Sequence, residues 1–553
     1  MNYIENLHFE KAKKHIAQGN FQEANNEINE LLNVGEESAE LYKNVGMLYI
    51  AIGQYPFASV YIRHSFDLEK TFETLELLAN TNYKAEKYDL AAVQFEELVK
   101  YYPRKEFFKN CIDCYEKLDF YEEAIRVAQM YNYTAQSAES YANLIFMYIT
   151  AGMEELAINT TEEMQKKFPN SSLTFNTLGF LHECIYIDYK KAKYYFEKAA
   201  KYGFIDAYYN LGVCCKQSED LEGAEKNLKR LITLNSDSHS DYNYTYGSIF
   251  LSQRKLRQGY KYYTKRNALK EIISDKKDYL WDGKDYPKET LYILSEQGFG
   301  DNILFARYIP LAAKKFKKVI HTTYPELVEL FKRSYSDKKY KNIEFVSNND
   351  IVKYNKIAFI TDLPYLLNES FHQIPADIPY LVSSERKEKL FKTNFFKTDK
   401  TKIGLCWCAK GMGLRDSVYK TIDAPYYFKS FIDAEKAEFY SFQKNDIFDM
   451  CKKYPDIKDL SPHLNDFEDT AAALKNIDIL ITVDTAIAHL AGALGVKTYL
   501  LLCHAPDWKW FDNTEKTEWY PTITIIKQHD RKTWDDVAEK LNKYLQKDLK
   551  KKK

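Results

Sequence analysis

An all-helical repeat array joined to an α/β half is the fold class that this 553-residue sequence predicts. Three observations predict it. A small residue recurs through the first half at a near-constant period. From Trp281 the pattern changes to short apolar strands alternating with helices. Two of those strands run into a turn and then an apolar-periodic helix. One is LYILSEQGFGDNILFAR over 291–307 and the other IDILITVDTAIAHLAGALG over 477–495.

The recurring small residue stands at Ala24, Ala58, Ala91, Ala124, Ala157, Ala192, Ala224 and Gly259, at gaps of 34, 33, 33, 33, 35, 32 and 35. Three residues earlier come Phe21, Tyr55, Tyr88, Tyr121, Tyr189, Leu221 and Leu256, with Glu154 as the exception, and twelve earlier several repeats place Gly46, Ala79, Gly212 and Gly247. Small residues at both places let two antiparallel helices approach closely, and the aromatic is expected to plug the gap where the second helix starts. About eight helix pairs are expected over residues 1–275, each needing its neighbours to bury its apolar side. A stacked array of this kind exposes a concave face suited to a polypeptide, and exposed tyrosines there would be rigid contact residues.

In the second half the strand candidates are 291–295, 318–322, 343–346 and 356–361, then 402–407, 437–442, 478–483, 498–503 and 522–526, with a closing helix over about 533–547. QIPADIPYL, from Gln373, separates the two series. Two Rossmann-like lobes are expected, 276–382 and 383–553, facing each other across a cleft walled by strand ends and helix starts.

Composition narrows the function classes. Lys plus Arg is 78 and Asp plus Glu is 79, so bulk charge gives no reason to expect nucleic-acid binding. The basic end KDLKKKK reads as a solvated helix terminus. Charges throughout the first twenty residues leave no secretory h-region, and the most apolar stretch, 477–503, is interrupted by Asp484, His489 and Lys497. No membrane span is expected, and a cytoplasmic location is. Nine scattered cysteines fit a reducing compartment; Cys111 and Cys114 form a C-x-x-C on a helical pattern, which reads as core rather than metal site.

The two turns carry the chemistry. At the first, Gln297, Gly298 and Gly300 offer backbone N–H groups to a polar or anionic ligand. Asp301 either caps the helix that follows or acts as a base on a substrate at the strand's carboxyl edge. At the second, the helix opening at Thr485 and Ala486 offers N–H groups and a positive dipole end, with Asp484 beside it. His489, one turn on, points at the same place or packs the helix. Trp508 and Trp510 wall a sugar or base, or anchor the core.

WDG at 281–283, EQGFGDNILFARY at 296–308, IPADIPYL at 374–381, DTAIAHLAGALG at 484–495, and APDWKW with WYP at 505–510 and 519–521 occur in this order. Together with the repeats, the chain resembles bacterial tetratricopeptide proteins that end in a family-9-like glycosyltransferase domain. That domain is related to the lipopolysaccharide heptosyltransferases. The architecture is similar to that of the O-linked N-acetylglucosamine transferases. The resemblance implies a GT-B fold from about Asp278 to Leu545 and a nucleotide-sugar co-substrate. It implies Asp301 as catalytic base, the Asp484–Thr485 turn as diphosphate cradle and Gln443 near the nucleotide. It also implies Lys420 as counter-charge to the leaving phosphate, with Lys410 and Arg415 as rivals, since 404–420 lacks the family's Gly-Asn-Pro run.

The expected activity is inverting transfer to a protein acceptor recruited by the array. A lipid-linked or saccharide acceptor and an inactive repeat scaffold are the alternatives. No D-x-D-like pair lies on a suitable turn, so neither metal nor cofactor is expected.

Overall fold

The structure, a computed structural model, describes residues 2–234, 240–266, 279–296, 298–347, 353–367, 374–375, 377–409, 420–422, 424–428, 436–444, 449–511 and 515–551. It divides into two compact units, Met1–Tyr186 with Lys201–Phe204, and Ile187–Ala200 with Ile205–Lys553.

The first unit is all-helical and built from pairs such as Ala39–Ala51 with Tyr55–Leu68 and Phe72–Lys84 with Tyr88–Tyr101. The periodic alanines do what their spacing predicts: Ala24, Ala58, Ala91, Ala124 and Ala157 are fully buried between helices. Gly46 is small for the same reason, since a Cβ there would overlap the Ile62 side chain of the paired helix. The residues three before each alanine open the second helices as expected. Phe21 and Tyr121 are nevertheless 36% and 38% exposed, so they cover the turn more than they plug a gap. Several first helices are capped by side chains, with Ser38, Thr71 and Ser137 accepting from the N–H three residues on, while those opening after Arg104 and Ser171 are not. Second helices are entered instead through a left-handed residue five positions before the small one: Gly19, Gly53, Glu86, Asp119 and Gly152 in this unit. Cys111 and Cys114 are core residues, and burial pushes both thiols well up from their ordinary range.

The second unit keeps the same helical phase at first. Ala192 and Ala224 are buried, and Ile187, Glu219 and Arg254 are the left-handed residues of its turns. Its last pair, Ser240–Ser252 and Leu256–Tyr263, comes so close that a Cβ on Gly247 would lie 2.7 Å from the backbone nitrogen of Tyr263. Leu251, Tyr260 and Tyr263 then enter the same apolar core as the α/β elements. The two compact units part near 187–205.

Two all-parallel sheets follow. The first is formed by β1 (Tyr286–Leu294), β2 (Phe316–Thr323), β3 (Ile343–Ser347) and β4 (Lys356–Phe359), in the order β3-β2-β1-β4. The second is formed by β5 (Thr401–Cys406), β6 (Ala437–Ser441), β7 (Ile457–Asp459), β8 (Ile479–Val483), β9 (Thr498–Leu502) and β10 (Ile523–Lys527), in the order β10-β9-β8-β5-β6-β7. In both, sequence order reverses at one place, between β1 and β4 and between β8 and β5. Ligands of open parallel sheets bind outside the strands' carboxyl ends at such places. Tyr380, in the described part of the connecting stretch, donates its N–H to Ala493 O at 3.1 Å and its hydroxyl to Ile303 O at 2.9 Å. It thereby ties the helices that follow β1 and β8.

Candidate functional site

The two reversal points meet. After β1 the chain turns at Gly298, the N-cap of the helix Phe299–Phe305, and nothing lies within 4 Å of where its Cβ would be. Gly300 faces the helix Ala486–Leu494. A Cβ on it would stand 2.9 Å from His489 Cδ2 and 3.6 Å from Ala486 Cα, so glycine is what allows the two helices to approach.

Asp301 does not cap its helix. Its Oδ1 lies 2.9 Å from Nζ of Lys509, which also lies 3.0 Å from Asp507 Oδ1. A carboxylate from the first sheet is thus paired with a lysine that follows β9 of the second. Burial raises the Asp301 pKa against the opposing pull of Lys509. Burial would lower that of Lys509, but Asp301 and Asp507 outweigh it and hold the ammonium charged.

After β8, Asp484 accepts from Trp510 Nε1 at 2.8 Å and pairs with Lys420 Nζ at 3.2 Å. Burial raises its pKa, Lys420 lowers it, and the balance keeps the carboxylate ionised. Thr485 is the N-cap of the helix Ala486–Leu494 but gives it no side-chain hydrogen bond, its hydroxyl lying 3.1 Å from that of Thr482. The helix start is left to whatever faces it. His489 is buried, stacks on Trp510 at 4.8 Å and reaches the Tyr520 hydroxyl through Nδ1 at 3.1 Å. Desolvation pushes its pKa down to about 3, so it is a neutral imidazole at pH 7.

Among the predicted residues, Gly300, Asp301, Lys420, Asp484, Thr485, Ala486 and His489 are brought together. Gln443 lies at the end of β6 and spends its amide on the protein. Oε1 accepts from the N–H of Trp407 and of Cys408 at 3.0 and 2.9 Å, and Nε2 donates to Cys408 O and Lys444 O. What it shapes is the loop after β5. Trp508 and Trp510 are buried anchors offering no ring face to solvent, the former against Tyr263 at 5.8 Å. Gln297, Lys410 and Arg415 lie outside the described residues.

Lys509 is the residue that sequence reasoning passed over. Its signal was a lysine inside the aromatic run Trp508–Trp510, two residues after an aspartate. Tyr244, one of the array tyrosines, is the exposed residue in an otherwise buried stretch from 242 to 252, and it lies near enough to raise the Lys509 pKa. A cavity of about 1130 Å³ lies elsewhere in the unit, lined by Arg307, Tyr335, Tyr380 and Arg386 but by none of these residues. Among the described residues no group of three or more His, Cys, Asp or Glu could hold a metal ion. No helix among them is long and apolar enough to cross a membrane.

No family model matches the chain. It is similar to Protein FlbA of Caulobacter vibrioides, with 20% identity over 400 residues, 66% of this chain and 66% of that protein. The match thus spans just under two thirds of the relative's length. Among solved structures, the C-terminal part of a TPR repeat-containing protein from Cytophaga hutchinsonii is 17% identical. It covers 42% of this chain and 96% of that one at a TM-score of 0.29. A tetratricopeptide repeat protein from Parabacteroides merdae is 14% identical, covering 42% and 93%, at 0.32. YrrB, described as a TPR protein with an unusual peptide-binding site, is 17% identical, covering 32% and 92%, at 0.25. The assignment of tetratricopeptide-like repeats rests on the helix pairs and their buried small residues, not on these likenesses.

Proposed function

We propose that the second unit is a metal-independent, inverting glycosyltransferase of the GT-B type. In this reading it moves a sugar from a nucleotide-sugar donor to a polypeptide that the helical array recruits. The observation that carries this reading is the convergence of two strand-end turns. Asp301 after β1 stands within an ion-pair distance of a lysine after β9, and Gly300 lies against the start of the helix that follows β8.

The parts suit such a transfer. The Asp301 carboxylate takes the proton of the acceptor hydroxyl, whose oxygen attacks the anomeric carbon. The bond from that carbon to the diphosphate breaks, and the leaving group carries away the electron pair. The helix start at Thr485–Ala486, with Lys420, is suited to receive that negative charge. Base and leaving group then act on opposite faces of the sugar, which inverts configuration. Lys509 pairs with Asp301 and keeps it in place until substrate arrives. A binding scaffold is the second reading; the complete engagement of the Gln443 amide within the protein favours it.

Calorimetric titration with a panel of nucleoside diphosphates separates the two. One nucleotide is expected to bind, and Lys420→Ala should weaken it by about 1.5–3 kcal/mol, the range for a hydrogen bond to a charged group. If none binds, the scaffold reading replaces the enzyme.

A further inference from the structure

Arg266, just beyond the last repeat helix, is 5% exposed, and its guanidinium joins three elements. Nη2 donates to Glu296 Oε2 at 2.6 Å and to Thr361 Oγ1 at 2.5 Å, and Nε lies 3.2 Å from both Glu296 oxygens. Nη1 donates to Asp362 Oδ1 at 2.7 Å and to Tyr263 O at 3.2 Å. Glu296 follows β1, while Thr361 and Asp362 follow β4, so Arg266 closes the reversal point of the first sheet from behind. The planar five-donor fork pairs with Glu296 through both Nε and Nη2 and still reaches Thr361, Asp362 and Tyr263 O; an ammonium has three donors and no such fork.

Glu296 in turn holds the turn that bears Asp301. Its carbonyl accepts from Asn302 Nδ2 at 3.0 Å and from the Tyr324 hydroxyl at 3.3 Å, and Asn302 Nδ2 also reaches Gly298 O at 2.9 Å. Asn302 is the neighbour of Asp301. Charge runs along the same path. Two buried carboxylates face one guanidinium, and the charge on Glu296 is among the influences that raise the Asp301 pKa.

We propose that Arg266 is a positioning residue for Asp301, acting through Glu296: it holds the turn that bears Asp301 and offsets the charge of Glu296. The proposal rests on the reading of Asp301 as that base.

The test uses full-length Arg266→Gln, alone and with Glu296→Gln. In Arg266→Gln the acid limb of the transfer-against-pH profile should move up by about one unit, because Glu296 is left uncompensated. Nucleoside diphosphate affinity should stay within about twofold, since the nucleotide sits on the other sheet. The double variant should bring the limb back. Amide hydrogen exchange over 298–305 should quicken by at least about tenfold in Arg266→Gln, while β8 keeps its wild-type protection.

An unmoved limb, or wild-type exchange over the turn, overturns the proposal. If wild-type protein transfers no sugar, the transferase reading has failed and the exchange measurement alone decides. Should Arg266→Gln not fold, Arg266→Lys keeps the charge without the fork and should show intermediate exchange. Failure of both variants to fold overturns the proposal too, because Arg266 would then hold the whole unit rather than one turn.

Discussion

In the first unit, ion pairs such as Lys43–Glu73, Arg63–Asp67 and Lys105–Glu139 lie on helix surfaces, with each side chain about a third to four fifths exposed. In the second, Arg266, Glu296 and Asp362 are each under a tenth exposed, and Lys509 and Asp484 are close to that. Surface pairs contribute little, about 0–1 kcal/mol each, and the array is held by repeated local packing. Buried charges carry a desolvation cost of several kcal/mol per ion, and an apolar core would spare the fold that cost. In the second unit these charges stand at the two places where strand order reverses. A costly arrangement placed where parallel sheets bind ligands marks a candidate site, whereas pairs such as these three of the first unit lie on its outside.

The sharpest way to break this contrast is to cut the chain. A chain of residues 187–553 should fold cooperatively and bind nucleotide as the full protein does, but should lose transfer to a polypeptide acceptor. A chain of 276–553 should not fold, because it lacks Leu251, Tyr260 and Tyr263 from the core and leaves Glu296 and Asp362 without Arg266. Near-UV circular dichroism and thermal melts distinguish the two. Equal folding would make the last pair an ordinary repeat.

Glycine substitutions sharpen the contrast further. Gly46→Ala pushes against a side chain, Ile62, and should destabilise the first unit by about 1–3 kcal/mol, the usual range for overpacking. Gly247→Ala pushes against backbone, with Tyr263 N at 2.7 Å and Gly259 O at 2.8 Å, and should exceed that range in the second unit. Denaturant titrations that follow each unit's transition report both values, and the reverse order would contradict this reading of the last pair.

Acid should act on the second unit. His321 is buried in β2, where desolvation lowers its pKa to about 4, and that of His489 is about 3. Between about pH 6.5 and pH 4 the unfolded chain holds protons that the folded unit refuses, so stability falls as pH falls. The slope is about 1.4 kcal/mol per pH unit for each histidine. Denaturant unfolding at pH 7 and pH 5 checks the sign, and a second-unit transition indifferent to this window would contradict it.

The repeats were legible because a small residue at period 32–35 has one dominant use, and every periodic alanine from Ala24 to Ala224 is buried. The left-handed turn residue keeps the same period but was hidden. Glu86, Asp119, Ile187, Glu219 and Arg254 fill a place where only Gly19, Gly53 and Gly152 announce the backbone. Apolar runs located the strands to within a few residues. They missed β7, which has one buried residue in three, and the start of β1, where Pro287, Lys288 and Glu289 face outward or sit at the edge.

Asp301, Asp484 and His489 could be found because a strand, a turn and a helix are local in sequence. Lys509 and Arg266 could not be placed in the same way. Their partners at 301, 296 and 362 are joined to them only by topology, and an isolated charged residue carries no mark of its burial. The aromatic signal of Trp508 and Trp510 was real, but the fold uses both rings as anchors.

Sugar transfer by Asp301→Asn tests the central claim most directly. Asparagine keeps the size of the side chain, and Asp507 remains to pair with Lys509, so the fold and nucleotide affinity should survive. It cannot take the acceptor's proton. Transfer should therefore fall by at least about two orders of magnitude, the lower end for a positioned general base. Transfer near the wild-type rate in a folded, nucleotide-binding Asp301→Asn protein would contradict the account and place the base elsewhere.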